Sequence, residues 1–274
     1  MWIWSIIGLT AIIVAVTKYL IYVFTKCLIS HKLLIKNYRG EFIPANTGII
    51  FPFVLLNTFL FMSVFFTIDF DAVVLLLGLK SFFAIFGLLD DLNSDRQKGL
   101  FGHIYLFIFK GIVSSGLVKA CLGIITSAFF SLAFNRNWDI HILVDTLIIA
   151  LTANLINLLD VKPGRAAKGV IIWIIIFLIF KAEFETLILL YPITVMIAVF
   201  LSGDLQEHFM MGDTGANALG GLLGGITVIF MSFDAKILYL IFLIAVHVLT
   251  EFVPLSKIIE KSRILSLVDN LGRN

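Results

Sequence analysis

Apolar residues come in long unbroken runs along this chain, with no alternation of period two and no polar stripe of helical period. The runs fall near residues 2–24, 48–68, 71–89, 104–132, 140–159, 169–183, 184–201, 216–233 and 236–253. About twenty apolar residues are what a helix needs to cross the hydrocarbon core of a bilayer, whereas transmembrane strands would be about ten residues long and alternating. The pattern therefore predicts an all-α, polytopic bundle of nine transmembrane spans, residues 1–253, followed by a cytoplasmic amphipathic tail, residues 254–274. Composition agrees, with 60% hydrophobic and 14% charged residues and a mean hydropathy of +1.07. A soluble domain carries far more charge.

Charge sets the orientation. The first run lacks a basic leader segment and is followed by Lys26, Lys32, Lys36 and Arg39, so it reads as a retained span with its amino end outside. The outer turns then carry Arg136, Lys181 and Lys236. The inner ones carry Lys26, Lys32, Lys36, Arg39, Arg96, Lys98, Lys162, Arg165, Lys168, Lys257, Lys261, Arg263 and Arg273. Positive residues collect in cytoplasmic loops, so the carboxyl terminus is expected inside. Asp71 and Asp139, on outer turns, read as helix caps. Cys27 and Cys121 lie in or beside apolar runs without metal-site spacing and read as inert thiols.

The same parity gathers the unusual acids on the inner face. In "GLLDD" the adjacent carboxylates Asp90 and Asp91 end the third run, where they repel unless a cation or proton is shared. In "MGDTGAN" Asp213 lies between glycines at the start of the eighth, where backbone can approach closely and helix N–H groups attract phosphate. A few hard carboxylates with room for phosphate oxygens suit Mg²⁺. Asp204 has no such setting and reads as a loop residue. In "NLINLLD", Asn154, Asn157 and Asp160 fall along one helical stripe, able to hydrogen-bond a base or ribose or to pair helix with helix. Lys162, Arg165 and Lys168 follow around a Pro-Gly turn, as phosphate ligands or as ordinary inner-loop charges.

"GLLDD", "NLINLLD" and "MGDTGAN", in this order at span ends on one face, resemble the signature of the polyprenyl-phosphate N-acetylhexosamine-1-phosphate transferases, glycosyltransferase family four. The resemblance runs from "RGEFIPANTGI" (39–49) to the ninth span. It implies transfer of a sugar 1-phosphate from a UDP-sugar to a polyprenyl phosphate at the cytoplasmic face of a bacterial membrane, releasing UMP. Implied roles are Mg²⁺ ligation by Asp213 with Asp91, catalysis by Asp90 and Asp91 beside metal and lipid phosphate, and substrate binding by Asn154, Asn157, Asp160, Lys162 and Arg165. Implied partners are the lipid, the nucleotide sugar and the membrane, with no nucleic acid; a homodimer stays open.

The chain also departs from that family. The usual "DGxDG" is "DVKPG" here, so Val161 replaces a glycine and Pro163 an aspartate. His103 and Tyr105 follow "KGL" where arginine and lysine are common, with Lys110 further on either as a substitute or as a lysine that snorkels or pairs. The histidine-rich segment before a tenth span is missing. A catalytically silent lipid or nucleotide binder is therefore the alternative. A transporter is disfavoured because its ionisable groups belong near the midplane. Lys80 reads as the partner of an inward acid, and His247 with Glu251 as a same-face pair.

Overall fold

Without water to serve its N–H and C=O groups, an apolar run must satisfy them internally, and a helix does so within one segment. The computed structural model describes residues 2–37, 39–65, 69–92, 109–110, 114–136 and 138–273, and these are helical nearly throughout. Helix α1 spans Trp2–Ser30. A small antiparallel hairpin follows, β1 (Leu34–Lys36) and β2 (Phe42–Pro44), with Ile35 opposite Ile43. After a 3₁₀ turn at Thr47–Ile49 come α2 (Ile50–Phe65), α3 (Phe70–Leu92), α4 (Ser115–Asn135), α5 (Ile140–Leu159), α6 (Arg165–Phe180), α7 (Phe184–Leu205), α8 (Gly212–Phe230) and α9 (Phe233–Phe252). Two short helices, α10 (Leu255–Lys261) and α11 (Arg263–Asn270), end the described chain.

Each expected apolar run overlaps one of α1–α9. Among the described residues six of them, α1, α3, α4, α5, α7 and α9, are long and apolar enough to cross a membrane. This is the architecture of a multi-pass helical membrane protein. Helices α2 and α6 have 16 residues each, and α8 is glycine-rich and carries Asp213, Thr214 and Asn217. Most of the opening of the fourth run, with Arg96, Lys98, His103 and Tyr105, lies outside the described residues; Lys110 is described and exposed.

Two of the boundaries that differ from expectation bear on the site. Helix α8 starts before Asp213 because Gly212, at φ 75°, makes the left-handed turn into it, so Asp213 sits in its first turn. Helix α6 starts at Arg165, after Gly164 at φ 71°.

The bundle is built around α8, buried from Thr214 to Val228. Its small residues let neighbours approach to backbone distance. A Cβ on Gly220 would lie 2.5 Å from the Ala153 Cα of α5, and one on Gly87 of α3 would lie 2.3 Å from the Asp213 carbonyl oxygen. At the end remote from Asp213, Lys236 of α9 reaches Asp145 of α5 at 3.0 Å, with side chains 7% and 0% exposed. Asn135 and Ser131 of α4 donate to the same carboxylate at 2.8 and 3.3 Å. Lys236 is thus a buried tie between helices, not a free outer charge, since a paired buried ion needs its hydrogen bonds completed.

Some lesser expectations change and others hold. Asp69, not Asp71, accepts the N–H groups at the start of α3, while Asp139 does cap α5 through the His141 N–H. Lys80 donates to the Pro52 carbonyl at 2.9 Å instead of meeting an acid. His247 bonds back to the Leu243 carbonyl of its own helix. Cys27 and Cys121 are free.

Candidate functional site

Two carboxylates at the C-terminus of a helix oppose its dipole, so Asp90 and Asp91 at the end of α3 need positive partners. They find different ones. Asp91 faces the N-terminus of α8, where Met211 at the cap position offers no side-chain acceptor. Its Oδ1 accepts the Asp213 N–H at 3.1 Å, and its Oδ2 accepts the Thr214 N–H at 2.9 Å and the Thr214 hydroxyl at 2.7 Å. Asp91 thus caps α8 from another helix. Asn46, with its amide nitrogen turned toward Asp91, adds donors at 3.2 Å to both oxygens. The strap carrying Asn46 is itself laced to the α7–α8 turn, by Met210 N–H to the Pro44 carbonyl at 2.9 Å and by Thr47 and Gly48 N–H to the Met210 and Met211 carbonyls at 3.0 and 2.9 Å.

Asp90 turns to Lys119, one turn into α4. The Lys119 ammonium lies 2.8 Å from Asp90 Oδ2 and 2.8 Å from Asp213 Oδ2, joining α3, α4 and α8 at one point. The Asn157 amide of α5 approaches Asp213 Oδ2 at 3.4 Å. Asn217 donates to the Asp213 carbonyl at 2.6 Å and to Asn157 Oδ1 at 3.3 Å. Asp160, ending α5, faces the Gly212 N–H. Burial first, and then the charges of Asp204, Asp213 and Asp91, push its carboxyl well above the usual range. Asp204 is no loop residue: it is 3% exposed in the last turn of α7 and accepts the Gly164 N–H at 3.0 Å.

The expected residues therefore divide. Asp90, Asp91, Asn157, Asp160 and Asp213 gather at one end of the bundle. Asn154, one turn earlier on α5, is exposed and makes none of these hydrogen bonds. Lys162 pairs with Glu260 at 2.7 Å. Arg165 is not presented to a ligand: its guanidinium grips Asp269 of α11, with side chains 4% and 5% exposed. Lys119, Asn217, Asn46 and Asp204 were missed. The available signal was a lysine inside an apolar run, which requires a partner in the bundle.

Hard oxygens at Asp90 and Asp213, whose side chains keep 25% and 33% exposure, fit Mg²⁺ chemically. Asp91 fits less well, because both its oxygens already accept bonds from α8. Among the described residues no three His, Cys, Asp or Glu side chains form a ready cation cage. A cation here would complete its shell with water and phosphate oxygens, as Mg²⁺ commonly does.

Fold and site together define a multi-pass helical membrane protein with an acid–lysine–amide centre at one end of its bundle. No protein-family model matches the chain. It is similar to the phospho-N-acetylmuramoyl-pentapeptide-transferase of Dictyoglomus thermophilum, with 24% identity over 197 residues, 68% of this chain. The match spans 59% of that relative's length.

Proposed function

We propose that the protein is a Mg²⁺-dependent transferase that moves a sugar 1-phosphate from a UDP-sugar to a polyprenyl phosphate for cell-envelope glycan synthesis. The observation that carries this reading is the meeting of Asp90, Lys119, Asp213 and Asn157, from four helices, at one end of the bundle. The distant relative named above, itself a transferase, supports the same class. In the proposed reaction an acceptor phosphate oxygen bonds to the sugar-bearing phosphorus, the bond from that phosphorus to the bridging oxygen breaks, and UMP leaves with the electron pair. The acceptor is largely dianionic near neutral pH, so no strong general base is required.

The residues then take distinct parts. Asp90 and Asp213 would hold Mg²⁺, which would offset pyrophosphate charge. Lys119 keeps the two carboxylates together and contributes a cation to the phosphate site. Asp91 and Asn46 hold the start of α8 in place. Asn157 and Asp160 face the nucleotide, with Asp160 able to donate a hydrogen bond when protonated.

In the same reading all nine helices cross, with the amino terminus outside and the site in the cytoplasm of a bacterial cell. The motive is the excess of thirteen basic residues on the inner parity over three on the outer. Alternating crossings also bring the ends of α3 and α5 and the starts of α4 and α8 to one face, where their side chains meet. The test is incubation of purified protein with labelled UDP-N-acetylhexosamines, polyprenyl phosphate and Mg²⁺, following UMP. Release that needs both lipid and metal is expected. Binding of lipid phosphate without turnover of any UDP-sugar would replace this reading with a silent binder.

A further inference from the structure

The last helix wears its polarity inside out. Its polar side is clamped to the protein: Asp269 receives Arg165 Nε and Nη2 at 2.8 Å each, and Arg273 Nη2 and Nη1 at 2.8 and 3.1 Å. Lys168 donates to the Asp269 and Val268 carbonyls at 2.6 and 3.2 Å, closing the C-terminal end of α11. Arg273 Nε reaches the Pro163 carbonyl at 2.8 Å.

With Asp269 turned inward, the apolar stripe of α11 must face away. Ile264, Leu267 and Leu271, at i, i+3 and i+7, are 77%, 67% and 67% exposed. Arg263 and Asn270 form a separate exposed polar edge beside that stripe. Three directions are thus distinct around one short helix: protein at Asp269, a polar edge at Arg263 and Asn270, and the apolar stripe beyond that edge.

The helix that leads into this tail has an exposed apolar face of its own. Helix α9 is apolar and long enough to cross a membrane, and Val248, Leu249 and Phe252 look outward from its last turns. Pro254 then breaks the helix and the chain turns into α10. Exposed Lys257, Lys261 and Arg263 line this turn and outnumber the exposed acids Glu251 and Glu260, the latter paired with Lys162, a basic excess that attracts anionic head groups.

We propose that α10 and α11 form an interfacial anchor, with Ile264, Leu267 and Leu271 in the acyl boundary and the three basic residues on anionic lipid head groups. The anchor straps residues 163–168 to the membrane surface through Arg165, Lys168 and Arg273. It depends on the membrane architecture alone and not on any reaction at the site.

The test uses the full chain with Cys27→Ser and Cys121→Ser, and a fluorescent NBD label at Leu267→Cys or at Asn270→Cys. Each is reconstituted in phosphatidylcholine vesicles with or without roughly one third phosphatidylglycerol, and quenched by lipid-borne nitroxide. Expected is quenching about 3-fold stronger at position 267 than at 270, with the difference reduced in neutral vesicles. Equal quenching at the two positions overturns the anchor. Quenching independent of phosphatidylglycerol overturns the head-group assignment. An intermolecular disulfide in the unlabelled Leu267→Cys protein, together with no lipid quenching in its labelled form, assigns the stripe to a second copy and also overturns it.

Discussion

Replacing Lys119 by methionine keeps an apolar stem of similar length and removes the charge joining Asp90 to Asp213. Breaking a fully buried ion pair from one side costs about 3–5 kcal/mol, because the remaining charge is stranded. Here the lysine is 17% exposed and the carboxylates 25% and 33%, so water recovers part of that loss. A destabilisation of about 2–3 kcal/mol remains, since two carboxylates now face each other across the vacated position. For a chain of this size that lowers the melting temperature by about 5–10 °C. Asp90→Asn in the same background removes the repulsion and should restore about half of the loss, a coupling that only neighbours show. The assay is thermal unfolding of four proteins, wild type, both single variants and the double variant, at low and millimolar Mg²⁺. Added Mg²⁺ should raise the melting temperature of Lys119→Met more than that of wild type, because a cation can take the ammonium's place. A Lys119→Met protein that melts within about 1 °C of wild type, with no coupling to Asp90, would refute the bridge as an energetic feature.

Asp213→Asn should insert and fold, because the amide still fits beside Lys119, while Mg²⁺-dependent UMP release falls at least about 100-fold, equivalent to about 3 kcal/mol; near-normal release would leave Asp213 a structural residue of α8. Gly87→Ala places a methyl 2.3 Å from the Asp213 carbonyl oxygen and must push α3 away from α8, so yield of folded protein should drop sharply, whereas Gly78→Ala, with open space around it, should be neutral. At Asp269, burial alone would raise the carboxyl, but hydrogen bonds from Arg165 and Arg273 outweigh it and hold the group below the usual range. A depressed folded-state pKa gives stability that is present above the ordinary value near 3.9 and lost as pH falls through the lower one. Amide exchange at Val268 and Leu271, corrected for intrinsic rate, should therefore be constant from about pH 8 to about pH 5; tail release within that window would contradict the clasp.

The helices were legible because hydrocarbon thickness imposes a length on an apolar run, and the shared end of the acids was legible because each motif sits at a helix end of the same parity. What each acid touches was not. Partnering depends on which helices are neighbours, and nothing in "GLLDD" says that α4 lies beside α3 or that a lysine five residues into α4 points at Asp90. Arg165 looked available because basic residues after a span face water by default; its ion-pair partner is the aspartate in "LVDN", 104 residues away, brought there by the turn at Pro254, and it also donates to Ser256. Asp204 looked like a loop residue because helix α7 runs several residues beyond its apolar run, as far as Leu205. The signature motifs located the centre without giving its wiring.

Adjacency in sequence suggests that Asp90 and Asp91 act as a pair, yet on a helix neighbouring residues point about 100° apart and do not face each other. That angle separates their work. Asp91 meets backbone N–H groups and so fixes the position and dipole of α8, whereas Asp90 meets a side-chain ammonium shared with Asp213. Asp91→Asn keeps one acceptor but turns a charged cap into a neutral one and points an NH₂ at N–H donors. A loss of about 1–2 kcal/mol is expected from cap and dipole together. Asp90→Asn removes one of two like charges and retains a hydrogen-bond acceptor for Lys119, so its melting temperature should stay near wild type while UMP release falls. The two variants should thus separate on a plot of stability against turnover: Asp91→Asn loses stability first, and Asp90→Asn loses rate alone. If Asp91→Asn instead melts like wild type and abolishes turnover, its carboxylate acts on the reacting groups and the remote cap is incidental.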